Sequence, residues 1–438
     1  MSEPTSNIRD SINNGPMTFA QIIIVTIAFI LNCIDGVDVV AVSVAAPVLS
    51  QDWQISPVQT GYILSAALIG MCLGAIFLAP LGDIYGRRKI VLLSALLTGL
   101  SMIASGFVDH SVELMIIIRA ISGLGVGAIL ASGAAFGSEF TPERYKNLTV
   151  SIIISGFPFG AAIVGPIAAY ILPNFGWQTL FISAGITTLI ICLIAFFLLP
   201  ESVQYLEKCK GEERSRIDKI NKVLHRIGRA PIDHLSIKED AQEIKAADVK
   251  ALLAPNILTT TLKLWTIFFM GYLVIYFFLA WVPSLFVANG WSMSQGIYAL
   301  TISNLGAVLG TVCLGLLTTK YKLTKPIGVF FAATGLLMFY FSLSNTTDLV
   351  MLYILIFLIG VFLNGAFCGM FAVAARTYQT KIKSTGIGWC AGIGRTGAIV
   401  APILVGYLVA TNFDIYALFS IFAVPIILAA ALVVTVKV

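Results

Sequence analysis

The sequence predicts an all-α integral membrane protein, with twelve transmembrane helices arranged as two six-helix bundles. Three observations predict it. Of 438 residues, 58% are hydrophobic and only 11% are charged, against about 25% charged in soluble domains, which is too few to build a surface that faces water. The apolar residues fall in runs of about 18 or more, long enough to cross a hydrocarbon core about 30 Å thick at 1.5 Å per residue. One long polar stretch divides these runs into six and six.

The runs cover 18–47, 58–79, 90–108, 112–136, 147–172 and 178–199, then 263–288, 295–318, 326–344, 349–375, 384–410 and 414–436. The polar stretch before the first run is mixed in character, and that run is too long for the core of a cleavable signal, so a retained helix is expected. The expected organisation is a first bundle over 1–200, a cytoplasmic linker over 201–260 and a second bundle over 261–438.

An even number of crossings places both termini on one side, and the basic residues say which. Alternate connections carry Arg87, Arg88, Lys89, Arg144, Lys146, Lys320, Lys322, Lys325, Lys381 and Lys383, whereas the opposite connections carry no Lys or Arg. By the positive-inside rule the termini and the central loop are cytoplasmic. The expected location is the cell (inner) membrane. The central loop holds eleven Lys/Arg and ten Asp/Glu between 200 and 260, and this near balance reads as a solvated, partly helical linker. The seven cysteines are scattered without paired spacing and read as packing residues.

The residues that break the apolar pattern carry the chemistry. An ionised side chain at mid-membrane costs at least about 2.5–3.5 kcal/mol on insertion scales, so it usually faces a polar cavity and a partner. Four stand out: Asp35 and Asp38 in span one, Arg119 in span four and Arg395 in span eleven. Asp35 and Asp38 share a helix face with Asn32. Their mutual repulsion and burial favour proton uptake by one of them, the property a proton-coupled carrier needs. Arg119 stays charged and needs a carboxylate, for which Asp35 and Asp38 are the candidates. The pair then reads equally as a switch broken by protonation or as a permanent structural contact.

Arg395 lies mid-span with no acid of the second half at membrane depth to neutralise it. Its planar donor fork suits a substrate carboxylate. Asn304, Asn364, Tyr276, Trp281 and Trp389 are candidates to line the same cavity, the aromatic rings by stacking on a flat ligand. Pro158, Pro166 and Pro283 are expected to interrupt helices locally.

The loop after span two reads Gly82-Asp83-Ile-Tyr-Gly86-Arg87-Arg88-Lys89 and resembles the signature of the major facilitator superfamily. The resemblance implies a gate latch, in which Asp83, Gly86, Arg87 and Arg88 engage a neighbouring helix end while the cytoplasmic side is closed. Glu139 and Arg144 resemble the matching elements at the next cytoplasmic turn. The loop after span eight, Thr318-Thr319-Lys320-Tyr321-Lys322, lacks the acidic residue, which implies a weaker second latch. A finer resemblance, to the aromatic acid:proton symporters, rests on several segments: Asp35-Gly36-Val37-Asp38, Pro200-Glu201-Ser202, Tyr276-Phe-Phe-Leu-Ala-Trp281-Val-Pro283, and Thr385-Gly386-Ile-Gly388-Trp389 followed by Gly394-Arg395-Thr-Gly397 and Pro402. Together these cover nearly the whole chain.

The resemblance implies proton-driven import of a small organic acid, often aromatic, by alternating access of the two halves. The expected partners are the organic anion, protons and the bilayer. No nucleic acid and no cofactor are expected, the proton gradient being the driving force, and a monomer is expected. Alternatives are a drug or metabolite:proton antiporter of the same fold, a channel and a transport-like sensor. An enzyme is disfavoured, because His110, His225 and His234 all lie outside the spans and no nucleophile or metal constellation appears.

Overall fold

A computed structural model describes residues 8–13, 15–209, 212–235, 249–255, 257–344, 346–379 and 382–436. Lys381, the central part of the 201–260 loop at 236–248 and residues 1–7 lie outside them. The described chain is helical almost throughout, as lipid requires when no water is present to satisfy backbone groups.

The long helices are α1 (Phe19–Trp53), α2 (Pro57–Leu73), α3 (Arg87–Ser105), α4 (Val112–Glu139), α5 (Glu143–Ile154), α6 (Gly156–Leu198), α7 (Leu258–Ala288), α8 (Met293–Lys320), α9 (Thr324–Ser344), α10 (Leu349–Thr377), α11 (Lys383–Ala410) and α12 (Ile415–Val434). Among the described residues, eleven helical stretches are long and apolar enough to cross a membrane, and one of them, Glu143–Leu198, runs for 56 residues. At 1.5 Å per residue that is enough for two crossings. Gly176, at φ 78° and ψ 170°, breaks it into an outward and a return leg, so the crossings number twelve.

Pro166 and Pro283 do not interrupt their helices; both sit inside continuous ones. Only Pro158 lies near a break, at the start of α6 just after Ser155. α2 is continued by a π-helical turn at Gly74–Leu78.

Two compact units emerge. Unit one comprises Met1–Asp38, Ile69–Gly160 and Phe181–Ala241; unit two comprises Val39–Leu68, Ala161–Leu180 and Gln242–Val438. In unit one, α3 packs along α4. In unit two the main pairs are α8 with α10, α7 with α11, and α9 with α12.

Part of the central loop is not a solvated linker. Glu213–Arg226 is an amphipathic helix whose Ile220, Val223 and Leu224 are buried in one core with Ile8, Ile12, Val203 and Leu206. Asn221 clamps the following strand-like turn through both its amide atoms, to Ile232 N–H and C=O, at 2.8 and 2.9 Å. Arg229 donates to Gln21 and to the Pro16 carbonyl, both at 2.8 Å. Net charge balance hid this core because its apolar positions recur at helical spacing inside a charged stretch.

Candidate functional site

Each unit holds one candidate site at membrane depth. In unit one, Asp35 and Asp38 on α1 and Arg119 on α4 are all buried. The Arg119 Nη2 donates to Asp38 Oδ2 at 2.7 Å and to the Asp38 carbonyl at 3.2 Å, and both side chains are 0% exposed. Ser122, one turn along α4, donates its hydroxyl to Asp38 Oδ1 at 2.9 Å. The guanidinium lies 5.5 Å from the centre of the Phe181 ring. Of the two acids the sequence offers Arg119, the structure selects Asp38 for the direct ion pair.

Ser122 and Phe181 escape sequence reasoning. Ser122 carries only its spacing of three residues from Arg119, which puts both on one face of α4. Phe181 carries no signal at all. Asn32, on the acidic stripe, donates to the Ala28 carbonyl at 3.0 Å and packs between Gly133 and Gly156.

The site in unit two is marked by three helix stripes. Each is packed toward the end whose connections lack Lys and Arg, here the neutral end. On α11, the Ile399 carbonyl accepts from Ser65 of α2 at 2.8 Å. Just beyond, α2 crosses so closely that a Cβ at Gly61 would lie 2.6 Å from the Pro402 oxygen, an approach only glycine permits. One turn before Ile399 is Arg395. It is half-buried and makes no ion pair or hydrogen bond among the described residues. Further along the same stripe, a side chain at Gly392 or Gly388 would meet nothing within 4 Å. The face is therefore closed at the neutral end and open toward the basic end, and Arg395 stands at the transition.

The other two stripes carry neutral-end contacts of the same kind. On α8, Thr301 packs against Gly165 of α6. One turn further along is Asn304, 8% exposed and without a hydrogen bond among the described residues. On α7, the carbonyls of Leu279 and Ala280 accept from Ser43 of α1. One turn before them is Tyr276, its ring 6.1 Å from that of Tyr272. Arg395, Asn304 and Tyr276 thus each lie one turn inside the contacts that close the neutral end of this unit.

The remaining lining candidates are placed differently. Trp281 is buried and donates its indole N–H to the Pro402 carbonyl at 3.0 Å, a contact that holds α7 to α11. Asn364 donates to Gly360 of its own helix at 3.3 Å. Trp389 is 41% exposed and stacks on Trp265 with centroids 5.8 Å apart.

The loop between α2 and α3 is organised around Gly86, whose φ of 106° favours glycine. Arg87 pairs with Asp83 at 3.0 Å and with the buried Glu139. Ser202 donates to Glu139, and Glu201 accepts the Arg88 backbone N–H at 3.0 Å. Asp83 itself is 70% exposed. Arg144 lies over the Tyr145 ring, 4.5 Å from its centre, rather than against Glu139. Replacing Glu139 with Gln is expected to lower stability by about 2 kcal/mol, since it removes the charged partner from one buried hydrogen bond, to Ser202, and one part-buried ion pair, to Arg87. A thermal melt in detergent checks this, and an unchanged midpoint would refute it. Among the described residues no cluster of three His, Cys, Asp or Glu side chains is placed to hold a metal ion.

A family model described as Major Facilitator Superfamily matches residues 28–347 and 264–437. The 4-hydroxybenzoate transporter PcaK of Pseudomonas aeruginosa is 33% identical over 98% of this chain and 95% of its own. The benzoate transport protein of Acinetobacter baylyi is 29% identical over 96% of this chain and 91% of its own. Among solved structures, a D-xylose-proton symporter superposes with a TM-score of 0.75 at 16% identity, covering 95% of this chain and 97% of that one; at that identity the likeness concerns the fold. The chain belongs to the major facilitator superfamily, in its aromatic acid transporter family. It is a membrane transporter and not an enzyme.

Proposed function

We propose that the protein imports a small aromatic carboxylate together with a proton. Arg395 carries this reading: it is a permanent cation at mid-helix, with no carboxylate partner among the described residues, and a substrate carboxylate would supply the missing charge. The relatives named for 4-hydroxybenzoate and benzoate support that choice of anion.

In the proposed mechanism the Asp35–Asp38 pair takes the proton, and Arg119 answers to the charge on Asp38. Protonation weakens the Arg119 contact and loosens α1 against α4. The neutral-end contacts of Ser43, Ser65 and Gly165 act as the gate on the extracellular side. The Asp83–Arg87–Glu139 cluster acts as the cytoplasmic latch, with the exposed Asp83 corresponding to its released state. Residues 1–200 and 261–438 are proposed as the moving bundles and 201–260 as their link, in a monomer of the cell inner membrane with both termini cytoplasmic. One proton entering with one monovalent carboxylate moves no net charge, so the pH difference drives accumulation, and only a further proton would add about 2.3 kcal/mol per 100 mV of potential.

Reconstitution into liposomes with an alkaline, negative interior tests the reading. Labelled 4-hydroxybenzoate should accumulate above its external concentration, acidify the lumen and leak back when the gradient is collapsed. Uptake that only equilibrates would sink the coupling, and absence of uptake would sink the substrate class.

A further inference from the structure

We propose that Asn304 reads a hydroxyl on the aromatic ring, para to the carboxylate held by Arg395, so that the site selects hydroxylated over unsubstituted rings. This rests on the assignment of Arg395 to the carboxylate.

Asn304 is an amide at membrane depth, more than nine-tenths buried, whose Nδ2 has no acceptor and which makes no hydrogen bond among the described residues. An amide left in that condition is costly unless a ligand or water completes it. A ring hydroxyl both donates and accepts, and so matches the two atoms of the amide.

The register of the helices supplies the spacing. Gly296 of α8 packs on Pro283 of α7. The two helices run in opposite directions, so Asn304 is level with the stretch of α7 near Ile275. Gly394 of α11 packs on Phe268 and Tyr272, and Gly397 on Phe269 and Leu273, which puts Arg395 level with Gly271. The difference is four residues along α7, about 6 Å at 1.5 Å per residue. One benzene ring with its para substituents bridges a step of that size. Tyr276 lies on α7 at the same depth and offers a face or edge to the ring. Each of the three side chains is one turn inside the neutral-end contacts of its own helix, with Arg395 the deeper toward the basic end by that step.

The test is binding of benzoate, 3-hydroxybenzoate and 4-hydroxybenzoate to the purified full-length protein and to Asn304→Ala and Asn304→Leu, by calorimetry with a thermal melt as folding control. The wild type should prefer 4-hydroxybenzoate to benzoate by about tenfold or more, with 3-hydroxybenzoate between them. Both variants should bind the two para-differing acids within about twofold of each other, benzoate affinity being held or improved. Equal wild-type affinities, or a preference that survives in a folded variant, would overturn the role of Asn304 while leaving the Arg395 assignment standing. Loss of all three acids on Arg395→Ala supports that assignment independently. Failure of the wild type to bind any of the three removes the underlying reading and this one with it. If neither variant folds, equal wild-type affinities for benzoate and 4-hydroxybenzoate still overturn the proposal.

Discussion

Arg395→Ala is expected to weaken binding of an aromatic carboxylate by about a hundredfold, in line with the 2–5 kcal/mol measured when one member of a desolvated charge pair is truncated. The expectation follows from the absence of any internal partner. An arginine already paired with a protein carboxylate would have to give it up on binding, and its loss would mainly cost stability. Arg395 has no such partner among the described residues, so its removal should leave the melting temperature of the ligand-free protein unchanged or raised, since a cation at membrane depth is itself costly. Arg395→Lys should fall between wild type and alanine, keeping the charge but losing the two-pronged geometry. Calorimetric titration with 4-hydroxybenzoate separates the three. An alanine variant that binds normally would move the carboxylate site elsewhere.

The second large effect is at Asp38. Asp38→Asn leaves Arg119 fully buried without a charged partner, and breaking a buried pair on one side costs about 3–5 kcal/mol. The single variant should therefore be both less stable and unable to accumulate substrate on a proton gradient, while retaining exchange of substrate across the membrane. Combining it with Arg119→Gln removes the orphaned charge and should recover most of the stability, because replacing a buried pair as a whole is often close to neutral. Accumulation should not recover. The double-mutant cycle thus separates the structural part of the contact from the coupling part. Gradient-driven accumulation by the double variant would show that the pair is structural only.

Much of this was legible in the chain. Twelve crossings follow from apolar length, and the four charges within the spans stand out because lipid makes each of them expensive. Two elements were misread from local pattern. Pro166 and Pro283 look like helix breakers, yet each is held inside a continuous helix, as neighbouring helices allow in a membrane. The helix at Glu213–Arg226 looks like solvated linker by charge, yet it buries Ile220 and Leu224 against the N-terminal Ile8 and Ile12, a partner more than two hundred residues away in sequence.

The candidate sites divide in the same way. The residue types at Asp35, Asp38, Arg119, Asn304 and Arg395 were visible because polarity inside an apolar run needs no partner to be noticed. Their pairing was not. That Arg119 takes Asp38 rather than Asp35, that Ser122 completes the carboxylate, that Trp281 binds α7 to α11 and that Asn304 is left without a bond all depend on which helix faces meet. The sequence by itself determined the solvent, the number of crossings and the charges that need an explanation, because transfer to lipid acts on each residue separately. Tertiary structure alone decided which of those charges are neutralised within the protein and which stay open, because hydrogen bonds and ion pairs act only over a few ångströms between side chains that the fold brings together.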